Sequence, residues 1–220
     1  MSGLCADCWL RLKQTDQSVT VTAMKTTHSD TREHILITGE QLCIQRGFNG
    51  MGLIELLKVA GVPKGSFYYY FPSKEAFGVA MLERYFALYY QRFREFLEND
   101  QGNQRQRILD YYQHSLDMFC QEGLFAGCLS VKLSAEVCDL SESMRIALDT
   151  GSKSLISTLC AALKRAQLRS ELQLTLPVEA CAQNIYSLWL GASLQSKISR
   201  NMTPMANALL EITRMLPLPV

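Results

Sequence analysis

Cys128 has the sequence surroundings of a reactive thiol. It follows a glycine-containing break at residues 122–127 and comes directly before an apolar run that begins at Leu129. These neighbours predict that Cys128 stands at the N-terminus of a helix, where the helix dipole and the cation of Lys132 both favour the thiolate. A thiolate is a nucleophile, so the expected chemistry is oxidation or alkylation of the sulfur. The competing interpretation is a buried structural thiol.

The remaining thiols are less suited to reaction. Cys138 is flanked by Glu136 and Asp139, whose negative charges oppose ionisation. Four other cysteines fall within predicted helices and are interpreted as small core residues: Cys43, Cys120, Cys160 and Cys181.

Lys197 is the second candidate for chemistry. In a predicted helix over residues 178–200 it shares one stripe with Tyr186, Leu190 and Ser193. This is an unusual position for an ammonium group unless its charge is paired or suppressed. We therefore hypothesise that a sulfenic acid on Cys128 is captured by the Lys197 amine. The alternative is that the Lys197 side chain extends to solvent.

The residues that present a surface to a partner lie between positions 53 and 71. Apolar residues at i, i+3, i+4 and i+7 predict a short helix with one buried stripe: Leu53, Leu56, Leu57 and Ala60. Gly61 suits the left-handed position that ends a helix, and Pro63 suits the first turn of the next one. Two short helices joined by about three residues make a helix-turn-helix.

The second of these helices is predicted to bury one face and expose the other. Phe67 and Phe71 share the inward face. The outward face is small, polar and aromatic, which suits the major groove of DNA. It comprises Gly65, Ser66, Tyr68 and Tyr69.

This stretch resembles the DNA-binding domain of the TetR family of transcriptional repressors. The resemblance runs from Gly47-Phe48 through residues 60–71 to Ser73-Lys74-Glu75. It implies a palindromic double-stranded operator as partner, contacted by Lys64, Gly65, Ser66, Tyr68, Tyr69 and Lys74. A cation at the start of a helix is disfavoured by the dipole, so a phosphate partner would explain Lys74; the alternative is a solvated lysine.

Three positions depart from the usual family pattern. Met51-Gly52 stands where Thr or Ser normally opens the second helix, which removes an N-cap and phosphate-binding hydroxyl. Pro63 replaces a common Ser, and Tyr69 replaces a common His.

Further segments resemble the NemR-type repressors within that family, which respond to reactive electrophiles and oxidants through cysteine. They are residues 73–78, 127–134 and 188–195. The resemblance implies that Cys128 occupies the position of the sensing thiol, that electrophiles or oxidants are the inducers, and that the last two helices form a homodimer interface. Two recognition helices about 34–36 Å apart would read successive major grooves.

The whole chain is expected to be all-α, with few Gly and Pro residues among its 220. Residues 1–28 are interpreted as a disordered or non-native leader, 29–76 as the helix-turn-helix DNA-binding domain, and 77–220 as a helical effector-sensing and dimerisation domain. The first helix is expected to open at the Asp30 and Glu33 pair and to stop at Gly47. Its buried side is expected to comprise Ile35, Gly39, Leu42 and Cys43. A long helix capped by Ser73 is expected to extend to about Glu98, followed by a linker at 99–104. Further helices are predicted at about 104–121, 128–138, 141–168, 178–200 and 204–216.

Composition limits the remaining possibilities. Eight Cys without a secretory signal indicate reduced thiols, and no apolar run of 18 residues exists. These features predict a cytoplasmic protein with no membrane span, no cofactor and no metal. Cys5 and Cys8 have CxxC spacing, but only His28 is near as a further ligand, so we interpret them as part of the leader.

Two other functions compete with a thiol-sensing repressor. One is a repressor that reversibly binds a small hydrophobic ligand in a pocket under Phe119, Phe125 and Trp189. The other is a cysteine-dependent enzyme, which needs a base beside the nucleophile. The histidines are His28, His34 and His114, and none has the sequence context of such a base, so no enzymatic activity is expected.

Overall fold

The computed structural model describes residues 28–98, 102–122 and 129–219. It divides the chain into two units, Met1–Thr31 and Arg32–Val220. Of the first unit, only the opening turn of a helix is described. Predictions on Cys5, Cys8, Phe125 and Cys128 lie outside the described residues.

Nine helices and no strands make up the described ranges, as an all-α protein requires. They are α1 (His28–Gly50), α2 (Leu53–Ala60), α3 (Lys64–Tyr70), α4 (Lys74–Glu98), α5 (Gln104–Glu122), α6 (Leu129–Val137), α7 (Glu142–Leu168), α8 (Val178–Ser199) and α9 (Thr203–Met215).

The first helix differs from its prediction at both ends. It begins at His28, so Asp30 lies inside its first turn and is not the residue before the helix. At the other end Gly47 has φ 78° and ψ 170°, which interrupts the helix at the predicted stop, and helical geometry then resumes to Gly50. The buried side of α1 was predicted correctly: Ile35, Gly39, Leu42 and Cys43.

Aromatic residues form the core of the N-terminal part. Phe67, Phe71 and Phe77 are all almost fully buried. Their ring centroids lie 5.2–5.6 Å apart. Because Phe77 belongs to α4, these contacts fix the short helix α3 against the long one.

The C-terminal body is a stack of long helices. Helix α4 packs most extensively on α7, α7 packs on α8, and α8 packs on α9. Ser73 caps α4 as predicted, since its Oγ accepts the Ala76 N–H at 3.0 Å. Ser141 caps α7 in the same way, accepting the Met144 N–H at 3.1 Å.

The last two helices leave part of their apolar surface uncovered in the protomer. On α8 the stripe that contains Cys181 and Ile185 is buried. On the second stripe Leu194 is 46 % exposed and Ile198 is 66 % exposed, and Leu210 of α9 is 60 % exposed. In the described ranges, no helix has the length and apolar character needed to cross a bilayer.

Candidate nucleic-acid interface

The turn between α2 and α3 is closed by backbone hydrogen bonds. Gly61 adopts the left-handed conformation, φ 65° and ψ 27°, which a side chain would disfavour. Its N–H donates to the Lys58 carbonyl at 3.3 Å, and the Val62 N–H donates to the Leu57 carbonyl at 3.1 Å. This pair of bonds is a Schellman motif, and it sets the direction in which α3 leaves the turn.

Helix α3 separates its buried and exposed residues as the sequence predicts. Phe67 is fully buried, whereas Tyr68 is 47 % exposed and Tyr69 is 72 % exposed. Lys64 and Gly65 are also exposed, and Ser66 is half-buried. The Lys64 ammonium lies 5.8 Å from the Tyr68 ring centroid, so cation and aromatic side chain share one surface. The face can offer a cation, a hydroxyl and two phenols to a polyanion.

Lys74 has a partner within the chain that sequence reasoning did not foresee. Its ammonium donates to the Phe48 carbonyl at 2.8 Å and lies 4.8 Å from the centroid of the Phe48 ring. The side chain is half-buried, so it is only partly solvated. A phosphate contact by Lys74 stays a prediction.

At the start of α2, where the family usually has a hydroxyl, this chain has a buried Met51 and an N-cap glycine. Gly52 occupies the N-cap position and no side chain caps the helix. Met51 is fully buried, and its Sδ accepts a weak hydrogen bond of 3.8 Å from the Cys43 Sγ. The residue in place of the family's usual hydroxyl therefore belongs to the core.

Three thiols, those of Cys43, Cys160 and Cys181, are less acidic than a free cysteine, as expected for structural residues. Burial raises the pKa of Cys43 to about 12 and also raises the pKa of Cys181. Cys160 was predicted to be a core residue but is only half-buried, and its Sγ lies 3.9 Å from the Glu179 Oε1. Desolvation first, and then the Glu179 charge, raise the pKa of Cys160, with Lys164 opposing them. Cys138 is half-buried.

The structure describes the segment of the predicted sensor from Leu129 onward. Cys128 is outside the described residues, and Leu129, which follows it in the sequence, is the buried first residue of α6. Lys132 lies in the first turn and is half-buried. The helix that the sequence predicts after Cys128 is therefore present.

Lys197 lies in the last turn of α8 and is half-buried. A cation there is favourable for the helix dipole. Ser193, from the same stripe, is 7 % exposed. Whether Lys197 reaches the sulfur of Cys128 stays a prediction.

Sequence reasoning missed a polar contact between two segments that are far apart in the sequence. The Glu136 carboxylate, on α6, accepts the Phe48 N–H at 3.0 Å and the Asn49 N–H at 2.5 Å. Eighty-eight residues separate Glu136 from Phe48, so no local pattern announces this contact.

The aromatic residues of the alternative ligand pocket are only partly described. Trp189 and Phe119 are half-buried, and the Trp189 ring lies 4.8 Å from that of Tyr112. A groove of about 520 Å³ lies elsewhere, between α4 and α7. The residues that line it include Arg94, Lys153, Ser157 and Arg165.

A short helix pair with an exposed polar and aromatic second helix, carried on an all-helical body, defines the class of helix-turn-helix transcription regulators. Residues 35–81 match the family model for bacterial regulatory proteins of the tetR family. Residues 105–212 match the model for the tetracyclin repressor-like C-terminal domain. The chain belongs to the TetR family of bacterial regulatory proteins.

Its relatives include regulators of known name. The chain is 57 % identical over 195 residues to the HTH-type transcriptional repressor NemR of Escherichia coli (strain K12), covering 89 % of this chain and 98 % of that protein. It is 29 % identical to the HTH-type transcriptional repressor DhaR of Mycobacterium sp. (strain GP1), over 79 % of this chain and 86 % of that one. The crystal structure of the reduced form of E. coli NemR matches with a TM-score of 0.83 and 56 % identity, covering 87 % of this chain and 99 % of that one.

Proposed function

We propose that this protein is a transcriptional repressor that binds a palindromic operator as a homodimer and leaves it when Cys128 is modified by an electrophile or oxidant. The observation that carries the proposal is the exposed face of α3, where Tyr68, Tyr69 and Lys64 project from a helix anchored by buried Phe67. The 57 % identity to a protein named as a repressor supports the same activity.

The DNA contacts are proposed to divide by residue chemistry. Lys64 is a compact cation suited to a phosphate, while the phenols of Tyr68 and Tyr69 and the Ser66 hydroxyl are suited to base edges or phosphates. Gly65 has no side chain, and nothing lies within 4 Å of where its Cβ would stand, so the backbone can approach the duplex. The Lys74 ammonium already donates to the Phe48 carbonyl, so a phosphate contact would use another of its N–H groups.

Dimerisation is supported by the uncovered stripe on α8 and α9. Leu194, Ile198 and Leu210 are between 46 % and 66 % exposed. Several large apolar side chains on neighbouring helices mark an interaction surface. A second copy of the chain, related by a two-fold axis, would cover them and place two α3 helices on one operator.

Release is proposed to begin at the Cys128 sulfur. An oxidant such as hypochlorite removes two electrons from the thiolate and gives a sulfenic acid. The Lys197 amine would then attack the sulfur, forming an N–S bond while the S–O bond breaks and the oxygen leaves as water. An electrophile such as N-ethylmaleimide instead adds to the thiolate directly.

The energy required for such a switch is within reach of a covalent adduct. Reversing a two-state equilibrium from 1:99 to 99:1 takes about 5.5 kcal/mol. Overpacking a core typically costs about 1–3 kcal/mol. One adduct in each subunit of a dimer therefore approaches the required difference.

A gel shift on the DNA upstream of the protein's own gene tests the proposal. Wild-type protein should bind, and hypochlorite should release it. Cys128→Ser should bind and resist release, whereas Cys138→Ser, a matched thiol variant at the other end of α6, should be released like the wild type. Reversal by dithiothreitol supports an oxidised thiol. Release of Cys128→Ser at the wild-type oxidant concentration would contradict the proposal.

A further inference from the structure

We infer that Glu136 is a positioning residue for operator binding: its carboxylate holds the last turn of α1, residues 48–50, and so transmits the state of the helical body to the DNA-binding domain. The inference rests on the proposed function, because it concerns how the same repressor loses its operator. It is carried by three groups of contacts at one corner of the molecule.

The first group joins Glu136 to the backbone of α1. Its two carboxylate oxygens accept from successive amides, Phe48 N–H at 3.0 Å and Asn49 N–H at 2.5 Å. Gly47 makes this possible, because its φ of 78° breaks the helix immediately before those amides. A Cβ on Gly47 would stand 2.5 Å from the Glu136 Oε2, so the carboxylate also uses the space of the missing side chain.

The second group joins the same turn to α4. The Lys74 ammonium donates to the Phe48 carbonyl at 2.8 Å. The Phe48 ring is 8 % exposed. A Cβ on Gly78 would stand 2.7 Å from this ring and 2.8 Å from the Met144 side chain. Charged side chains therefore bind both the amide and the carbonyl of Phe48, and its ring lies close to Gly78 and Met144.

The third group fastens the start of α4 to the start of α7. The hydroxyls of Ser141 and Ser143 both donate to the Glu75 Oε1, at 2.5 Å and 2.7 Å. Glu75 follows Lys74, which binds the Phe48 carbonyl, so the two groups of contacts are continuous. Helix α3 packs on α4 through Phe67 and Phe77. The contacts that position α4 therefore also set the orientation of α3.

Because of its position on α6, Glu136 can couple a displacement of that helix to α1. Helix α6 begins at Leu129, the residue after Cys128 in the sequence, and Glu136 lies seven residues, about two turns, further on. The helix packs on α7 and α8 of the body, whereas the Glu136 carboxylate reaches α1. Hydrogen bonds weaken steeply when length or angle changes, so a small displacement of α6 is enough to release the turn.

The first test measures operator affinity for Glu136→Ala and Glu136→Gln. Asp139→Asn is the matched control, because it removes one negative charge from the same corner at an exposed side chain. We expect Glu136→Ala to lose affinity by about 5- to 150-fold, the usual range of coupling between sites. Glu136→Gln should fall between Ala and wild type, since its amide keeps one acceptor oxygen, and Asp139→Asn should match the wild type. Unchanged or increased affinity in Glu136→Ala would overturn the inference.

The second test does not depend on DNA. Hydrogen exchange at the Phe48 and Asn49 amides of the full-length protein should quicken when N-ethylmaleimide is added, and should not quicken in Cys128→Ser. In Glu136→Ala these amides should exchange fast from the start, with no further change on modification. Slow exchange in Glu136→Ala, or a modification effect that persists there, overturns the inference. If hydrogen exchange at these amides changes as expected but wild-type protein does not bind the operator, the proposed function fails while the coupling through Glu136 stands.

Discussion

Arg84 and Glu40 form an ion pair, with 2.8 Å between Nη1 and Oε2, that fastens the long helix α4 to α1. The Arg84 Nε also binds Glu33 at 2.6 Å, so one guanidinium holds two carboxylates. The side chains of Arg84 and Glu40 are only 18 % and 22 % exposed. The pair therefore lies in a poorly hydrated junction between the helix-turn-helix and the body.

The pH dependence of this junction follows from the pKa of Glu40. Desolvation raises that pKa above its ordinary value of 4.5, and the nearby Arg84 only partly offsets the effect. The folded state thus holds the Glu40 proton more tightly than the unfolded state does. Its contribution to stability is present at low pH and is lost as the pH rises through the raised pKa.

Replacing Arg84 by Met should therefore destabilise the protein most at neutral pH. The variant leaves the Glu40 charge poorly paired, which we expect to cost about 2 kcal/mol in the free energy of unfolding at pH 7. The cost should shrink as the pH falls toward the raised pKa, because Glu40 becomes neutral. Urea unfolding at several pH values measures this, with Arg94→Met, at an exposed ion pair, as the control. A cost that grows on acidification would contradict the account.

The Cys43 thiol should be inert in the folded protein. A rise in pKa from 9.0 to about 12 lowers its thiolate fraction at pH 8 by about a thousandfold. Cys43 and Cys181 should resist iodoacetamide, whereas half-buried Cys138 should be labelled. Mass spectrometry of labelled peptides reads out the result, and denatured protein gives full labelling as reference. Rapid labelling of Cys43 in folded protein would show that its surroundings are not those described.

Operator binding should depend on Lys64 through phosphate neutralisation. Lys64→Ala should weaken binding at all operator sequences and reduce the slope of log affinity against log salt by about 1. Lys153→Ala is a matched control, because Lys153 is an exposed lysine on α7. Fluorescence anisotropy at several salt concentrations measures both quantities. An unchanged slope for Lys64→Ala would remove this residue from the interface.

Tyr69 should contribute to binding without contributing to folding. Its side chain is 72 % exposed, so Tyr69→Ala should leave the unfolding temperature close to that of the wild type. If Tyr69 contacts a base, operator affinity should fall by about 1–3 kcal/mol and specificity at that base should relax. Equal affinity of Tyr69→Ala and wild type would place Tyr69 outside the DNA contact.

A charge on the uncovered stripe of α8 should dissociate the dimer. Ile198→Glu puts a carboxylate where the proposed interface is apolar, at a residue that is 66 % exposed in the protomer. Sedimentation analysis should show a monomer that has lost operator affinity. Leu168→Glu, at an 87 % exposed residue on α7, should remain dimeric. A dimeric Ile198→Glu protein would contradict the assignment of this surface.

Local patterns were enough to predict most of the fold. Glycine at positions 47 and 61 and serine at position 73 mark helix ends, and the structure places helix ends there, within a few residues at Gly47. Apolar periodicity identified the buried side of α1 and the inward face of α3. These signals act over one or two helical turns, so a single sequence is enough to find them.

Contacts between distant segments could not be predicted in the same way. Glu136 has the sequence context of an ordinary helix-surface carboxylate, and only the folded chain brings it to the Phe48 amide. Lys74 was interpreted through the helix dipole alone, which ignores the carbonyl of Phe48. Cys160 has the spacing of a core residue, but spacing identifies a helix face without showing what covers it.

The most direct test of the central claim is an anisotropy titration of labelled operator with wild-type and Cys128→Ser protein, each before and after treatment with N-ethylmaleimide. We predict that treatment abolishes tight binding by the wild type and leaves the affinity of Cys128→Ser unchanged. Equal loss of affinity in both proteins would contradict release through this sulfur.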